Sequence, residues 1–95
     1  MPEAESLPSK TALRQNYPNP FNPVTHIRYQ ISDISHLKLV IYDLLGREVA
    51  VLVDEKKAPG SYEVQFDATG LASGVYFFRM QTGDFVDTKK LMLLR

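Results

Sequence analysis

An all-β sandwich of seven short antiparallel strands is predicted by three features of this sequence. Apolar residues recur at every second position from residue 25 onward, turn signals come every eight to twelve residues, and no convincing helical period appears. Ninety-five residues are enough for one modest core and too few for a catalytic domain with an added binding domain. Eleven basic and eleven acidic side chains cancel and are interspersed, so no basic stripe points to nucleic acid or to an anionic membrane surface.

Residues 2–11 hold only Ala4 and Leu7 as apolar members besides two prolines, so residues 1–12 read as a polar linker and residues 13–95 as the folded domain. The opening six residues lack the cationic start and apolar centre of a signal peptide. No apolar run approaches the ~18 residues of a membrane span, and membrane insertion is not expected. A weak first strand is read over residues 13–17. It runs into Asn16-Tyr17-Pro18-Asn19-Pro20-Phe21-Asn22-Pro23, three prolines and three asparagines around two aromatics. Proline lacks a backbone donor and restrains its predecessor, so this octet is neither helix nor central strand. Its plainest reading is a kinked lead-in that anchors an edge strand by burying Tyr17 and Phe21.

In residues 25–31, Ile27, Tyr29 and Ile31 share one face against His26, Arg28 and Gln30; in residues 61–67, Tyr62, Val64 and Phe66 alternate with polar neighbours. Residues 37–43 carry apolar side chains on both faces, which predicts a central or covered strand. Residues 47–53 are ambiguous, since Leu45, Val49, Leu52 and Val53 also suit a short helix, but three valines in five residues favour a strand. Between these two, Asp43-Leu44-Leu45-Gly46 places a glycine where a hairpin loop needs positive φ. Residues 54–60, ending in Pro59-Gly60, read as a solvated loop. Residues 74–81 and 85–94 close the domain as a hairpin across Thr82-Gly83-Asp84.

Residues 67–76 form a glycine-punctuated corner followed by Tyr76, with Phe78 next on the inward face. A tyrosine so placed bonds back to the corner in immunoglobulin-like sandwiches, and the fold class predicted is a seven-stranded immunoglobulin-like antiparallel β-sandwich.

Catalytic and cofactor chemistry finds no support. The absence of cysteine removes disulfides, thiolate metal sites and a cysteine nucleophile. His26 and His36 come without HExxH-like spacing and read as surface histidines. No GxSxG elbow is present. The acidic residues Asp43, Asp54, Glu55, Asp67, Asp84 and Asp87 lie mostly in or beside turns, where they cap backbone donors. A loop calcium site built from some of them stays open, because oxygen ligands suit that ion, although no EF-hand spacing occurs. No catalytic, cofactor or metal residue is assigned. The aromatics raise a carbohydrate-binding face as an alternative, with Tyr42 and Phe77 as the members opposite their strands' inward faces.

Four motifs in order resemble one family, the C-terminal sorting domain of the type IX secretion system. They are the octet at residues 16–23; Ile41-Tyr42-Asp43-Leu44-Leu45-Gly46-Arg47-Glu48-Val49; Leu71-Ala72-Ser73-Gly74-Val75-Tyr76-Phe77-Phe78-Arg79; and Lys89-Lys90-Leu91-Met92-Leu93-Leu94-Arg95. The resemblance covers residues 13–95. It implies a non-catalytic domain attached to an upstream cargo protein, which transits the periplasm and is secreted or placed on the cell surface. It also implies recognition by the outer-membrane translocon and removal by a sortase-like peptidase cutting within or just after the linker. Candidate recognition residues are Asn16, Pro18, Pro20, Phe21, Asn22, Pro23, Gly46, Arg47, Gly74, Tyr76, Lys89, Lys90 and Arg95. Among these, Gly46, Gly74 and Tyr76 are expected to build the sandwich, together with Gly70, and Lys89, Lys90 and Arg95 to be read by a receptor. A structural immunoglobulin-like spacer, similar to that of flagellar hook-capping protein, is the competing reading.

Overall fold

Period-two patterning sorts the chain into two sheets, and each sheet contributes one apolar face to a shared core. The computed structural model describes residues 8–95, so residues 1–7 of the predicted linker lie outside the described residues. The strands are β1 (Ala12–Leu13), β2 (Val24–Ile31), β3 (Ser35–Tyr42), β4 (Glu48–Lys57), β5 (Gly60–Asp67), β6 (Gly74–Thr82) and β7 (Phe85–Leu93). They form a three-stranded sheet β1-β2-β5 and a four-stranded sheet β4-β3-β6-β7, all paired antiparallel. The chain is all-β in two antiparallel sheets.

The core between them is drawn from both. Ile27, Tyr29, Ile31 and Phe66 come from the smaller sheet, and Leu37, Leu39, Ile41, Phe78, Met80, Leu91 and Leu93 from the larger. β3 lies between β4 and β6, as its two-faced apolarity predicts, and Val40 on its outer face is buried beside Leu39 and Ile41 on the inner. The Tyr76 hydroxyl donates to the Ala72 carbonyl at 2.7 Å, back across the corner that precedes β6.

Three features differ from the sequence reading. β4 does not end at Val53: its pairing with β3 continues through Asp54, Glu55, Lys56 and Lys57, opposite Lys38 to Ser35. The predicted loop 54–60 is therefore reduced to Ala58-Pro59. A charged run is compatible with a strand here because β4 is a sheet edge, with no need to bury both faces. The helix–strand ambiguity of the same segment also has a cause. The register with β3 shifts twice, skipping Leu52 and Val49, and each extra residue interrupts the alternation that marks a strand. Finally, the opening strand is shorter than residues 13–17. β1 covers Ala12–Leu13, and Tyr17 returns only as an isolated bridge to His26.

Phe78 is fully buried, and its truncation to alanine is expected to cost about 3–5 kcal/mol. Tyr76→Phe, which deletes one hydrogen bond and keeps the ring, is expected to cost about 1 kcal/mol. Urea titrations of both variants check the two values; a Tyr76→Phe midpoint equal to that of the parent would remove the corner bond from the account of stability.

Candidate functional site

The octet crosses from one sheet to the other. The residues leading into it and its first half run along β2: the Arg14 N–H donates to the Arg28 carbonyl at 3.0 Å, and Tyr17 and His26 exchange both backbone bonds at 2.9 Å. Its second half pairs in parallel with the end of β7. The Phe21 N–H donates to the Met92 carbonyl, and the Leu94 N–H to the Phe21 carbonyl, each at 3.0 Å. Three prolines deprive the crossing of donors, and side chains supply the missing contacts. Asn19 Oδ1 accepts from the Met92 N–H at 3.0 Å, and the Gln15 amide donates to the Lys90 carbonyl at 2.7 Å. Asn16 is buried, donating to the Pro18 carbonyl at 3.1 Å and to Thr25 Oγ1 at 3.0 Å. The Pro23 carbonyl accepts from the Ala68 N–H at 2.8 Å. Phe21 is buried with its ring centroid 6.1 Å from that of Phe66.

Tyr17 corrects the sequence reading. It was expected inside with Phe21 and is 77% exposed, because its position continues the outer face of β2 beside His26, whereas Phe21 turns into the gap between the sheets. Of the other octet residues, Pro18, Asn19, Pro20 and Asn22 are exposed.

The last residue of the sequence is held in place by the corner. The Arg95 guanidinium donates to the Leu71 carbonyl at 2.7 Å and the Ala68 carbonyl at 3.0 Å, and its backbone N–H to Ser73 Oγ at 3.0 Å. Gly74, with φ +146°, turns the chain from that corner into β6. The β3–β4 hairpin closes on Asp43: one carboxylate oxygen accepts from the Leu45 and Arg47 N–H groups at 2.9 Å, the other from Arg47 Nε at 2.8 Å. Gly46 at φ +83° completes that turn. Since Tyr42 pairs with Phe77, Phe77 with Lys90, and Val24 with Asp67, the hairpin loop, the corner, the end of β7 and the octet all lie at one end of the molecule. The four sequence motifs converge there.

The candidate residues divide by what they touch. Asn16, Phe21, Pro23, Tyr76 and Arg95 make the internal contacts described above, Gly46 and Gly74 shape the turns, and Arg47 braces Asp43 while remaining exposed. Lys89 is half-buried and pairs with Asp87 at 3.7 Å, while Lys90 and Arg47 are exposed. Sequence reasoning missed Leu44, Leu45 and Leu94, which are 69%, 76% and 52% exposed at this same end. Their signal was legible: two leucines inside a tight turn, where polar residues are the rule, mark an apolar surface awaiting a contact. The outer face of the larger sheet is less open. Tyr42 and Phe77 are half-buried neighbours, and the Arg79 guanidinium stands 5.1 Å over the Tyr42 ring. His26 and His36 each face a carboxylate, Glu63 at 3.2 Å and Asp54 at 2.5 Å.

The Arg47 backbone N–H, joined by the Arg47 guanidinium and the Leu45 N–H, holds Asp43 below the usual carboxylate range. Hydrogen bonds from the Thr69 hydroxyl and N–H lower Asp67 likewise. A carboxylate depressed on folding stabilises at pH above its unfolded value near 4, and that contribution is lost as pH falls through the folded value. Asp43→Asn is therefore expected to lower the thermal midpoint at neutral pH and to converge with the parent as pH falls through the depressed folded value; midpoints that stay equally far apart down to acid pH would contradict the assignment.

A sequence profile described as the secretion system C-terminal sorting domain matches residues 15–94. No curated protein matches the chain. Among solved structures, dimeric latent PorU from Porphyromonas gingivalis is 20% identical with a TM-score of 0.65, the match covering 88% of this chain and 9% of that one. At this identity the likeness concerns the fold, and this chain corresponds to a small part of that protein. CopC from Methylosinus trichosporium OB3b is 17% identical over 87% of this chain and 90% of that one, at a TM-score of 0.45. With the profile spanning most of the sequence, from just before the octet to the penultimate residue of the terminal motif, the chain belongs to the family of secretion system C-terminal sorting domains.

Proposed function

We propose that this domain is the removable address of an exported protein, read by the type IX translocon at the end where the four motifs meet. The family match carries the reading, and the convergence of the motifs supports the location. Residues 13–95 are the domain that is read. Residues 1–12 join it to the cargo and are where a sortase-like peptidase cuts, and the cargo passes the periplasm to the surface or the medium. The domain itself performs no catalysis. Its architecture is an immunoglobulin-like sandwich, a reading supported by the Tyr76 hydroxyl on the corner carbonyl and by a lead-in that pairs with β2 and then with β7.

Within the proposed surface, internal contacts already engage Asn16, Phe21, Pro23, Gly46, Gly74, Tyr76 and Arg95, so these residues act by shaping it. Direct contact falls to the exposed set: Tyr17, Pro18, Pro20, Asn22, Leu44, Leu45, Arg47, Lys90 and Leu94. Apolar side chains rimmed by cations suit a protein partner better than bulk solvent.

Deleting residues 89–95 does not test this, because it removes the core residues Leu91 and Leu93 and is expected to unfold the domain. The informative variant is Leu44→Asp with Leu45→Asp, in residues 13–95 fused behind an exported reporter in a type IX host. Surface delivery is expected to fall at least tenfold with the melting temperature within a few degrees of the parent, whereas Val51→Asp on exposed β4 leaves delivery intact. Full delivery of the double variant would place the recognised surface elsewhere.

A further inference from the structure

Two-sheet proteins leave strand edges whose backbone groups invite another strand, and three of the four edges here are guarded. β1 has only two residues. β4 carries two register shifts and turns Glu55 and Lys57 toward the inner face, opposite Leu37 and Ser35. β7 turns Asp87 and Lys89 inward, opposite Met80 and Phe78, and the lead-in covers it from Lys90 to Leu94. β5 has none of these devices. Its eight residues pair with β2 without a break, its inward residues are Tyr62, Val64 and Phe66, and among the described residues no other strand pairs with it. Tyr62 and Val64 are only half-buried, although their partners on β2, Tyr29 and Ile27, are fully enclosed.

The bonding pattern says which groups are free. His26 and Arg28 direct their backbone groups to the lead-in and β1, so by alternation Ile27 and Tyr29 bond to β5, using those of Val64 and Tyr62. Ser61, Glu63, Gln65 and Asp67 then point theirs outward. We infer that this edge takes a second copy of itself, antiparallel, about a two-fold axis at Val64.

Self-complementarity selects that occupant and that register. With the axis at Val64, Tyr62 meets Phe66 of the second copy, Val64 meets Val64, Glu63 meets Gln65 and Ser61 meets Asp67, so aromatic faces aromatic and no like charges are opposed. Moving the axis to Glu63 sets two glutamates opposite each other, and moving it to Gln65 sets Glu63 against Asp67. A shift of half a step puts the apolar face of one copy on the polar face of the other. The result is a continuous six-stranded sheet that closes over Tyr62 and Val64. The pairing leaves the motif-bearing end untouched and does not depend on the sorting role.

Sedimentation equilibrium of the chain is expected to show a concentration-dependent dimer, and a strict monomer up to about 1 mM would overturn the inference and leave the edge to an extended segment of another protein. Because the chain has no cysteine, Val64→Cys can form only the Cys–Cys bond between copies. Val64 would lie in a non-hydrogen-bonded pair with a Cα separation of about 4.5 Å, within disulfide range. Mild oxidation is expected to cross-link it at least tenfold faster than Val51→Cys on β4; equal rates would overturn the register. Should Val64→Cys fail to fold, the exposed position 65 decides. Gln65→Lys is expected to tighten the dimer and Gln65→Glu to weaken it, each roughly fivefold, and the reverse order or no change refutes the pairing.

Discussion

A segment with three prolines in eight residues has few N–H groups to offer, yet it has to leave one sheet and settle on another. Everything at the motif-bearing end depends on how that shortage is met. Two backbone bonds from Phe21 hold the crossing to β7, the amides of Gln15 and Asn16 donate where proline cannot, and the Asn19 amide oxygen accepts from the Met92 N–H. Thr25 shows the same economy, since its buried hydroxyl accepts from Asn16 and donates to the Pro18 carbonyl at 2.8 Å. Asparagine suits this role because one short side chain carries both a donor and an acceptor. The octet's composition is thus the chemistry of a turn with few backbone donors, pinned by buried Asn16 and Phe21.

With the lead-in fixed, the other contacts at that end follow from its position. Phe21 packs on Phe66 and closes the core near Leu93, and the Pro23 carbonyl fixes Ala68 at the start of the corner. Arg95 then joins that corner from the other side, through Ala68, Leu71 and Ser73. The corner is consequently held by the lead-in, by the Tyr76 hydroxyl and by Arg95, three restraints from widely separated stretches of sequence. The surface beside it, bearing Leu44, Leu45 and Leu94, thus adjoins a corner bonded from three sides, with the hairpin itself held by Asp43.

Much of this was legible in the residues. β2 and β5 could be read because each alternates without interruption and pairs without a break. The Tyr76 bond was legible because a glycine-punctuated corner before a tyrosine has few other uses. β4 was obscure for an equally physical reason: two inserted residues break its period, and its charged second half looks like loop unless one knows it lies at an edge. Tyr17 was misplaced because composition cannot say which of two aromatics in a kinked segment faces inward. The candidate site was half legible. Its motifs were visible as motifs, but their division into residues that build the surface and residues that present it depends on contacts 73 and 75 positions apart in sequence.

Those long separations bear on the order of events during synthesis. β7 is the last strand, yet it supplies Leu91 and Leu93 to the core and the ledge on which the lead-in rests. A ribosome that has made residue 80 has already produced the octet and the corner, but not the β7 backbone on which the octet rests or the Arg95 that braces the corner. The motif-bearing end is therefore completed only after the stretch from Lys90 to Arg95 has emerged, and a polypeptide that stalls short of it lacks that surface.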